Sequence, residues 1–545
     1  MPLDILLTND DGFSAAGLTT LYDALTAAGH NVHVVAPLAN QSAQGSSLGG
    51  LASVGAPLAV DEYAPGNYSV DGRPVAAALA GLDVLDLFGG EAPDLVVSGT
   101  NRGDNAGASN NISGTVNAAL AALHEGVPAI ALSAGSAGGS YDAAYANGAD
   151  FLVGLLDRLE AERPEGEPLL PAGQGLGINI PGPADLDGVA VTRVDRESST
   201  EFPIVARGNG LYGSDAVPNT DPSGNPISEG SQFVENRLTV SPLDGDWTAP
   251  EAVRLGLEGR LDGRLGDGEI PHHGPLDILL VDEDGIAAPG LTALRGALSA
   301  AGFHVTVVAP ATDQSGVGTA LTLGDFAVRQ VEPDAYAVSA TPTTTVYTAL
   351  DALFTGDHRP DLVISGIDEG TSLGLQGNSS ATLAAAVAGV FNYDVPSISA
   401  VLHAGFDGTV SAGEYHDAAA FLTDMVAELQ ATAPASGALL PTDTGLSINF
   451  PEMFDPEHVA FTRADASTDQ RLVALPGTED STAAVDYDGP VLTDDPLGEG
   501  NAFLHGHTTI TAFDGNYGSA EIGTYDRIAA LLGTSLGVPA DAVLA

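Results

Sequence analysis

Short apolar runs that end in polar, glycine-containing loops recur along this chain. The run DILLT (4–8) has strand length, and Leu18, Leu21, Leu25 and Ala28 then recur at helical spacing until Gly29 stops them. NVHVVAP (31–37), DLVVSG (94–99) and PAIALS (128–133) read as further strands, and TVNAALAALHEG (115–126) as a helix. Strands apolar on both faces, alternating with helices, predict an α/β fold: a mostly parallel sheet flanked by helices. Ligands of such sheets bind beyond the C-terminal strand ends. NDDG (9–12), PLANQSAQG (37–45) and SGTNRGDNAG (98–107) all fall there, so three polar loops are expected on one rim.

The pattern occurs twice. PLDILLTNDDGFSAAGL from Pro2 returns as PLDILLVDEDGIAAPGL from Pro275, and the likeness runs on to HVVAPLANQSAQG against TVVAPATDQSGVG. APDLVVSGTNRG matches RPDLVISGIDEG, GLGINIPG matches GLSINFPE, and NRLTVSPLDG matches HTTITAFDG. Two copies of one domain are expected, over 1–262 and 275–545, joined near LDGRLGDGEIPHHG; His272 and His273 read as solvated linker rather than metal ligands.

Charge narrows the functions open to the chain. It carries 72 acidic and 17 basic residues, all of the latter arginine, for a net charge of −55. Such a surface repels nucleic-acid polymers and anionic membranes. Self-repulsion on this scale suits high salt, so a halophilic origin is expected ahead of an engineered lysine-free sequence. No apolar run spans a bilayer and no basic-apolar leader opens the chain, so a soluble, cytoplasmic protein is expected ahead of an exported mature form. Without cysteine there are no disulfides or thiolate chemistry.

Asp10 and Asp11 stand together at a strand end. Paired carboxylates suit a hard divalent cation; alternatively Asp11 caps the following helix and Asp10 is a solvated turn residue. Ser42 and Asn101, in the other two loops, add neutral oxygens and favour the cation. Ser113, Gly114 and Thr115 begin a helix, where free N–H groups attract phosphate, unless Ser113 is only a cap. Together they point to phosphoryl chemistry.

ILLTNDDG, VVAP with NQS, DLVVSGTNRGDNAG and SGTVNAAL, in that order, resemble the SurE (survival protein E) family of 5′/3′-nucleotidases over most of residues 1–250. The resemblance implies a Rossmann-like domain with an extended arm that pairs subunits. It also implies metal-dependent hydrolysis of nucleoside monophosphates by metal-activated water. The implied ligands of Mg²⁺ or Mn²⁺ (Ca²⁺ is a further possibility) are Asp10, Asp11, Ser42 and Asn101. Asn9, Gly103, Asn105, Ser113, Gly114 and Thr115 match the phosphate pocket, and Asp10 is the candidate proton acceptor. RPVAAALAGL from Arg73 departs from the family pattern, whereas SATPTTTVYTAL in the second copy stays closer to it.

In the second copy Glu283, Asp284, Ser315 and Asp368 take the ligand positions, Glu369 replaces Arg102, and Ser380, Ala381 and Thr382 replace Ser-Gly-Thr. Added negative charge at about 4 Å costs roughly 1 to 4 kcal/mol against an anionic ligand. One working site is therefore expected, with a degenerate second copy acting as a built-in partner in an intramolecular pseudo-dimer; further homo-oligomers remain open. The alternatives are a non-catalytic ligand-binding protein, a phosphatase of broader range, or a haloacid-dehalogenase-like or receiver protein, the last disfavoured by DDG in place of DxD and by the missing lysine.

Overall fold

The computed structural model describes residues 2–49, 57–136, 139–164, 166–171, 173–220, 222, 225–265, 274–354, 359–404, 409–452, 454–465, 468–474, 482–490, 493, 495–518 and 522–533. His272 and His273 lie outside them. The first copy contains β1 (Asp4–Thr8), α1 (Ala16–Ala27), β2 (Asn31–Pro37), β3 (Leu58–Ala64), β4 (Asn67–Val70), α2 (Pro74–Leu79), β5 (Leu95–Arg102), α3 (Gly114–His124), β6 (Ala129–Ala134), α4 (Tyr141–Glu162) and β7 (Gly175–Ile180). It continues with β8 (Val189–Val191), β9 (Thr200–Glu201), β10 (Ile204–Gly208), β11 (Leu211–Ser214), β12 (Val217–Pro218), α5 (Glu229–Val234), β13 (Leu238–Leu243) and α6 (Glu251–Leu261).

The second copy repeats the plan as β14 (Asp277–Val281), α7 (Pro289–Ala300), β15 (His304–Pro310), β16 (Gly324–Glu332), β17 (Ala335–Val338), α8 (Pro342–Thr348), β18 (Leu362–Glu369), α9 (Ala381–Val387), β19 (Ser397–Leu402), α10 (Ala412–Ala431) and β20 (Gly445–Phe450). β21 (Val459–Thr462), β22 (Thr468–Ala474), β23 (Thr482–Pro490), α11 (Glu499–Leu504), β24 (Thr508–Phe513) and α12 (Ile522–Gly533) complete it.

In the first sheet β4, β2, β1, β5, β6 and β7 run parallel, as their double-sided burial requires, with Leu7 opposite Val34 and Thr8 opposite Ser98. α1 lays Leu18, Leu21 and Leu25 on this sheet. It approaches so closely that a Cβ on Gly17 would lie 2.0 Å from the Thr100 carbonyl oxygen, and Gly290 stands equally close to Ile367. No helix among the described residues is long and apolar enough to cross a membrane.

The two sheets trade strands. The β10–β11 hairpin of the first copy pairs with β16 of the second, and the β22–β23 hairpin of the second pairs with β3 of the first. Each sheet thereby reaches 11 strands. The helices after β13 and β24 are traded too. Leu257 and Leu261 of α6 sit in one core with Phe450 and Leu429, while Ile528 and Leu532 of α12 sit with Leu25 and Leu238. Between the copies Trp247 is fully buried against Phe513, in a core shared by Leu120, Leu383 and Phe391. Ser46 and its repeat equivalent Thr319 meet here: Ser46 N–H donates to Thr319 Oγ1 and Thr319 N–H to Ser46 Oγ, both at 3.0 Å.

Candidate active site

Because β1, β2 and β5 are parallel, the residues after them meet on one rim. The tight turn at the end of β1 is closed by Asn9, whose amide donates to Gly12 O at 3.0 Å and accepts from Gly12 N–H at 3.2 Å. Gly12 has φ +103°, a conformation open to glycine. The turn drives Asp10 inward to 2% exposure. Asp10 Oδ1 accepts the Thr115 hydroxyl at 2.9 Å, and a Cβ on Gly114 would lie 2.9 Å from the Asp10 Cβ. Asp11 points the other way, where Asn40 Nδ2 donates to Oδ1 at 2.8 Å and Arg102 N–H donates to Oδ2 at 2.7 Å. Its carboxylate thus ties the three loops together. The helix-cap reading of Asp11 is not what forms: the N-cap of α1 is Ala15, and no side chain caps the helix.

Burial, then the neighbouring Asp11 charge, pushes the Asp10 carboxyl up to about 7, against the lowering hydrogen bond from Thr115. Asp11 is also raised by burial, offset chiefly by the Arg102 N–H. Asn101 belongs to β5, where the register with β6 shifts between Ser98 and Asn101. Such a bulge re-aims a side chain. Its Nδ2 donates to Gly103 O at 2.9 Å, leaving Oδ1 as an acceptor.

Asp10, Ser42, Asn101, Gly103, Asn105 and Ser113 share the wall of a cavity of about 710 Å³. Asn9, Asp11, Gly114 and Thr115 are not on that wall; they set the position of Asp10 or join the loops behind it. Ser113 caps α3 by accepting Val116 N–H at 3.1 Å, so its hydroxyl proton stays available. Ser42 is exposed, its N–H bound to Asn40 Oδ1. The same cavity is also lined by the apolar Phe202, Phe233 and Ile112, and by Leu323 from the second copy. Arg102 lies over the Tyr141 ring at 5.1 Å.

One supporting group escaped the motif reading. Glu229 is fully buried, accepting at Oε2 from Gly107 N–H and Asn110 Nδ2 and at Oε1 from Asn179 Nδ2 and Ser241 Oγ. Asn179 Oδ1 in turn accepts Asn105 N–H at 2.7 Å. Asn449 and Glu499 build the same links in the second copy. The signal was present as the repeated SINF/GINI and GEG/SEG segments, but it carries no chemistry of its own.

The model of the family described as Survival protein SurE matches residues 5–201 and again 278–471, more than half of the chain. The chain belongs to the SurE family. A protein named 5′-nucleotidase SurE from Geobacter sulfurreducens is 37% identical over 264 residues, 45% of this chain and 89% of its own. One of the same name from Methanocorpusculum labreanum is 37% identical over 272 residues, 47% and 97% of the two chains. The crystal structure of the Sure protein from Aquifex aeolicus aligns with 28% identity and a TM-score of 0.40, over 47% of this chain and 99% of that one. The family model matches the chain twice and each of the two named relatives spans less than half of it, in keeping with a tandem duplication.

The second SurE copy builds its rim from different charges. Asp282 replaces Asn9 and Glu283 replaces Asp10, and both are buried, as is Asp368 in place of Asn101. Burial and then the Asp368 charge raise both Asp282 and Glu283 well above the usual carboxylate range. Ser315 Oγ donates to Asp313 Oδ1 at 2.6 Å and reaches Asp284 Oδ1 at 3.4 Å.

Proposed function

We propose that the first copy is a divalent-cation-dependent phosphomonoesterase that releases phosphate from nucleoside 5′- or 3′-monophosphates. The reading rests on one observation: Asp10, Ser42, Asn101 and Ser113 at the start of α3 line one cavity, which Phe202 and Phe233 line as well. The names of its relatives, 5′-nucleotidase SurE, agree with it.

The residues present fit a cation. Asp10 is buried beside a second carboxylate, no described ion pair reaches it, and Ser42 and Asn101 bring further hard oxygens to the same cavity for Mg²⁺ or Mn²⁺, while Asp11, held by Asn40 and Arg102 N–H, would have to exchange one of these bonds to join them. Bound there, such a cation supplies positive charge to phosphate oxygens and acidity to water. The Ser113 hydroxyl and the N-terminus of α3 hold the phosphate. Thr115 fixes Asp10 Oδ1, leaving Oδ2 to accept the proton of the attacking water. Phe202 and Phe233 offer faces to the nucleoside, in a cavity within the usual size of small-molecule sites.

In the second copy Asp368 and Glu369 stand where the first has Asn101 and Arg102, which argues against binding a phosphate dianion. That copy serves as a built-in partner: the traded hairpins and the Ser46–Thr319 pair support an intramolecular pseudo-dimer. The net charge of −55 further supports work at high salt.

Phosphate release from nucleoside monophosphates, with Mg²⁺, Mn²⁺ or chelator across salt concentrations, tests the reading. Release should require the cation, fall at least a thousandfold in Asp10→Asn, and survive Glu283→Gln. Equal losses from the two substitutions would sink the one-site reading. No cation-dependent release at any salt would favour a non-catalytic binding protein.

A further inference from the structure

We propose that the second copy holds a resident hard divalent cation in an all-carboxylate cradle of Asp282, Asp284 and Asp368, next to the buried Glu283, and that this ion is structural. Carboxylate oxygens of Asp282, Asp284 and Asp368 lie within 4.8 Å of one another. A second observation points to a ligand. Asp282 Oδ2 and Glu283 Oε2, on residues 0% and 5% exposed, have no hydrogen-bond partner among the described residues. A buried carboxylate oxygen without a donor is costly, and a cation in the cradle satisfies it.

This donor set is not that of the first copy. There the residue before the carboxylate pair is Asn9, whose amide is used up in closing its own turn on Gly12. In the second copy that position is Asp282. Its Oδ1 accepts Asp284 N–H at 3.0 Å and its carbonyl oxygen accepts Gly285 N–H at 3.1 Å, which closes the turn and leaves Oδ2 for a ligand. Every donor is a hard oxygen, which selects Ca²⁺, Mg²⁺ or Mn²⁺ over softer ions. Glu369 beside the cradle keeps substrate phosphate away, so the ion has no reaction to serve.

Its placement explains a structural role. Asp282 and Asp284 follow β14 and Asp368 ends β18, so the ion joins the two central strands of the second sheet at their rim. Asp284 meets Ser315, and four residues later the same loop presents Thr319 to Ser46 and Asn111 of the first copy. The cradle therefore anchors the loop that braces the first copy. It would do so whether or not the first copy is a nucleotidase.

The test uses the full chain stripped with chelator and titrated with Mn²⁺ or Ca²⁺ by calorimetry, with melting followed in parallel. In the Asp10→Asn background, which disables the first site, one tight ion per chain should remain and should raise the melting temperature. Adding Asp282→Asn should weaken that ion at least tenfold, and adding Asp284→Asn should abolish it. In chelator the Asp282→Asn chain should melt no lower than its parent, because one buried charge has gone, and this outcome reports that it is folded. The proposal is overturned if the Asp10→Asn chain takes up no ion, or if Asp282→Asn leaves its affinity unchanged. The first of these needs no further variant to fold.

Discussion

At the scale of single residues the proposed chemistry turns on Asp10, which two neighbours hold in place. Thr115 donates to its Oδ1 and Gly114 leaves room for its Cβ, so the residues around the carboxylate work by positioning it. Thr115→Val keeps the shape and removes the donor. It should lower kcat for phosphate release about tenfold or more with little change in KM, and Thr115→Ser should recover most of the loss. Glu229 accepts four donors, so an amide in its place turns an NH₂ group toward donors. Glu229→Gln should cost about 1 to 3 kcal/mol in denaturant unfolding. That Asp10, Ser42 and Asn101 line one cavity was legible because each follows or ends a parallel strand and few residue types supply hard oxygens there. Glu229 was not, because its partners lie up to 122 residues away and only folding shows them.

At the scale of elements the strand and helix pattern agrees with the chain. DILLT, NVHVVAP and PAIALS form β1, β2 and β6 within a residue or so, since short apolar runs buried on both faces have no other stable use. The β5 bulge that turns Asn101 was outside the pattern, because a register shift depends on the partner strand. The traded hairpins were outside it for the same reason: β10 is exposed after Ile204 and β11 is only four residues long, and β16 beside them makes them part of a sheet. Trp247, the one tryptophan, is the packing centre between the copies, and its Nε1 reaches Leu375 O at 3.4 Å. Trp247→Ala should cost about 3 to 5 kcal/mol, read as a lower denaturant midpoint.

At the scale of the molecule, negative charge is both spread over the surface and concentrated between the copies. Burial, then the charges of Asp246 and Asp514, raises Asp244 to about 8; burial, then Asp246 and Asp443, raises its repeat equivalent Asp514 to about 7. An acid whose folded pKa lies above its unfolded value of about 4 binds protons more tightly when folded. Its stabilising contribution is whole below about pH 4 and is lost as pH rises through about 7 to 8. Asp244→Asn should therefore raise the melting temperature by a few degrees at pH 9 and by little at pH 4, measured in one buffer series. The surface charge acts separately. Melting temperature should climb steadily as salt rises from 0.1 to 3 M, because screening relieves repulsion among 72 acidic residues. The first copy expressed alone, over residues 1–262, loses α12 and the β22–β23 pairing. It should self-associate in light scattering, since the apolar surface that Ile528 and Leu532 cover is then open.

Periodicity, repetition and a few oxygen-bearing residues at strand ends were enough to determine the α/β class, the duplication, the family and the ring of candidate ligands. These are local signals, and a strand or a metal-ready turn is specified by adjacent residues. Tertiary structure alone decided three things: that the copies complete each other's sheets, that Leu323 of one copy lines the cavity of the other, and that Asp282 joins a carboxylate cradle. Each depends on which distant segments come within a few ångströms, and that follows from how two copies pack rather than from the order of residues in either.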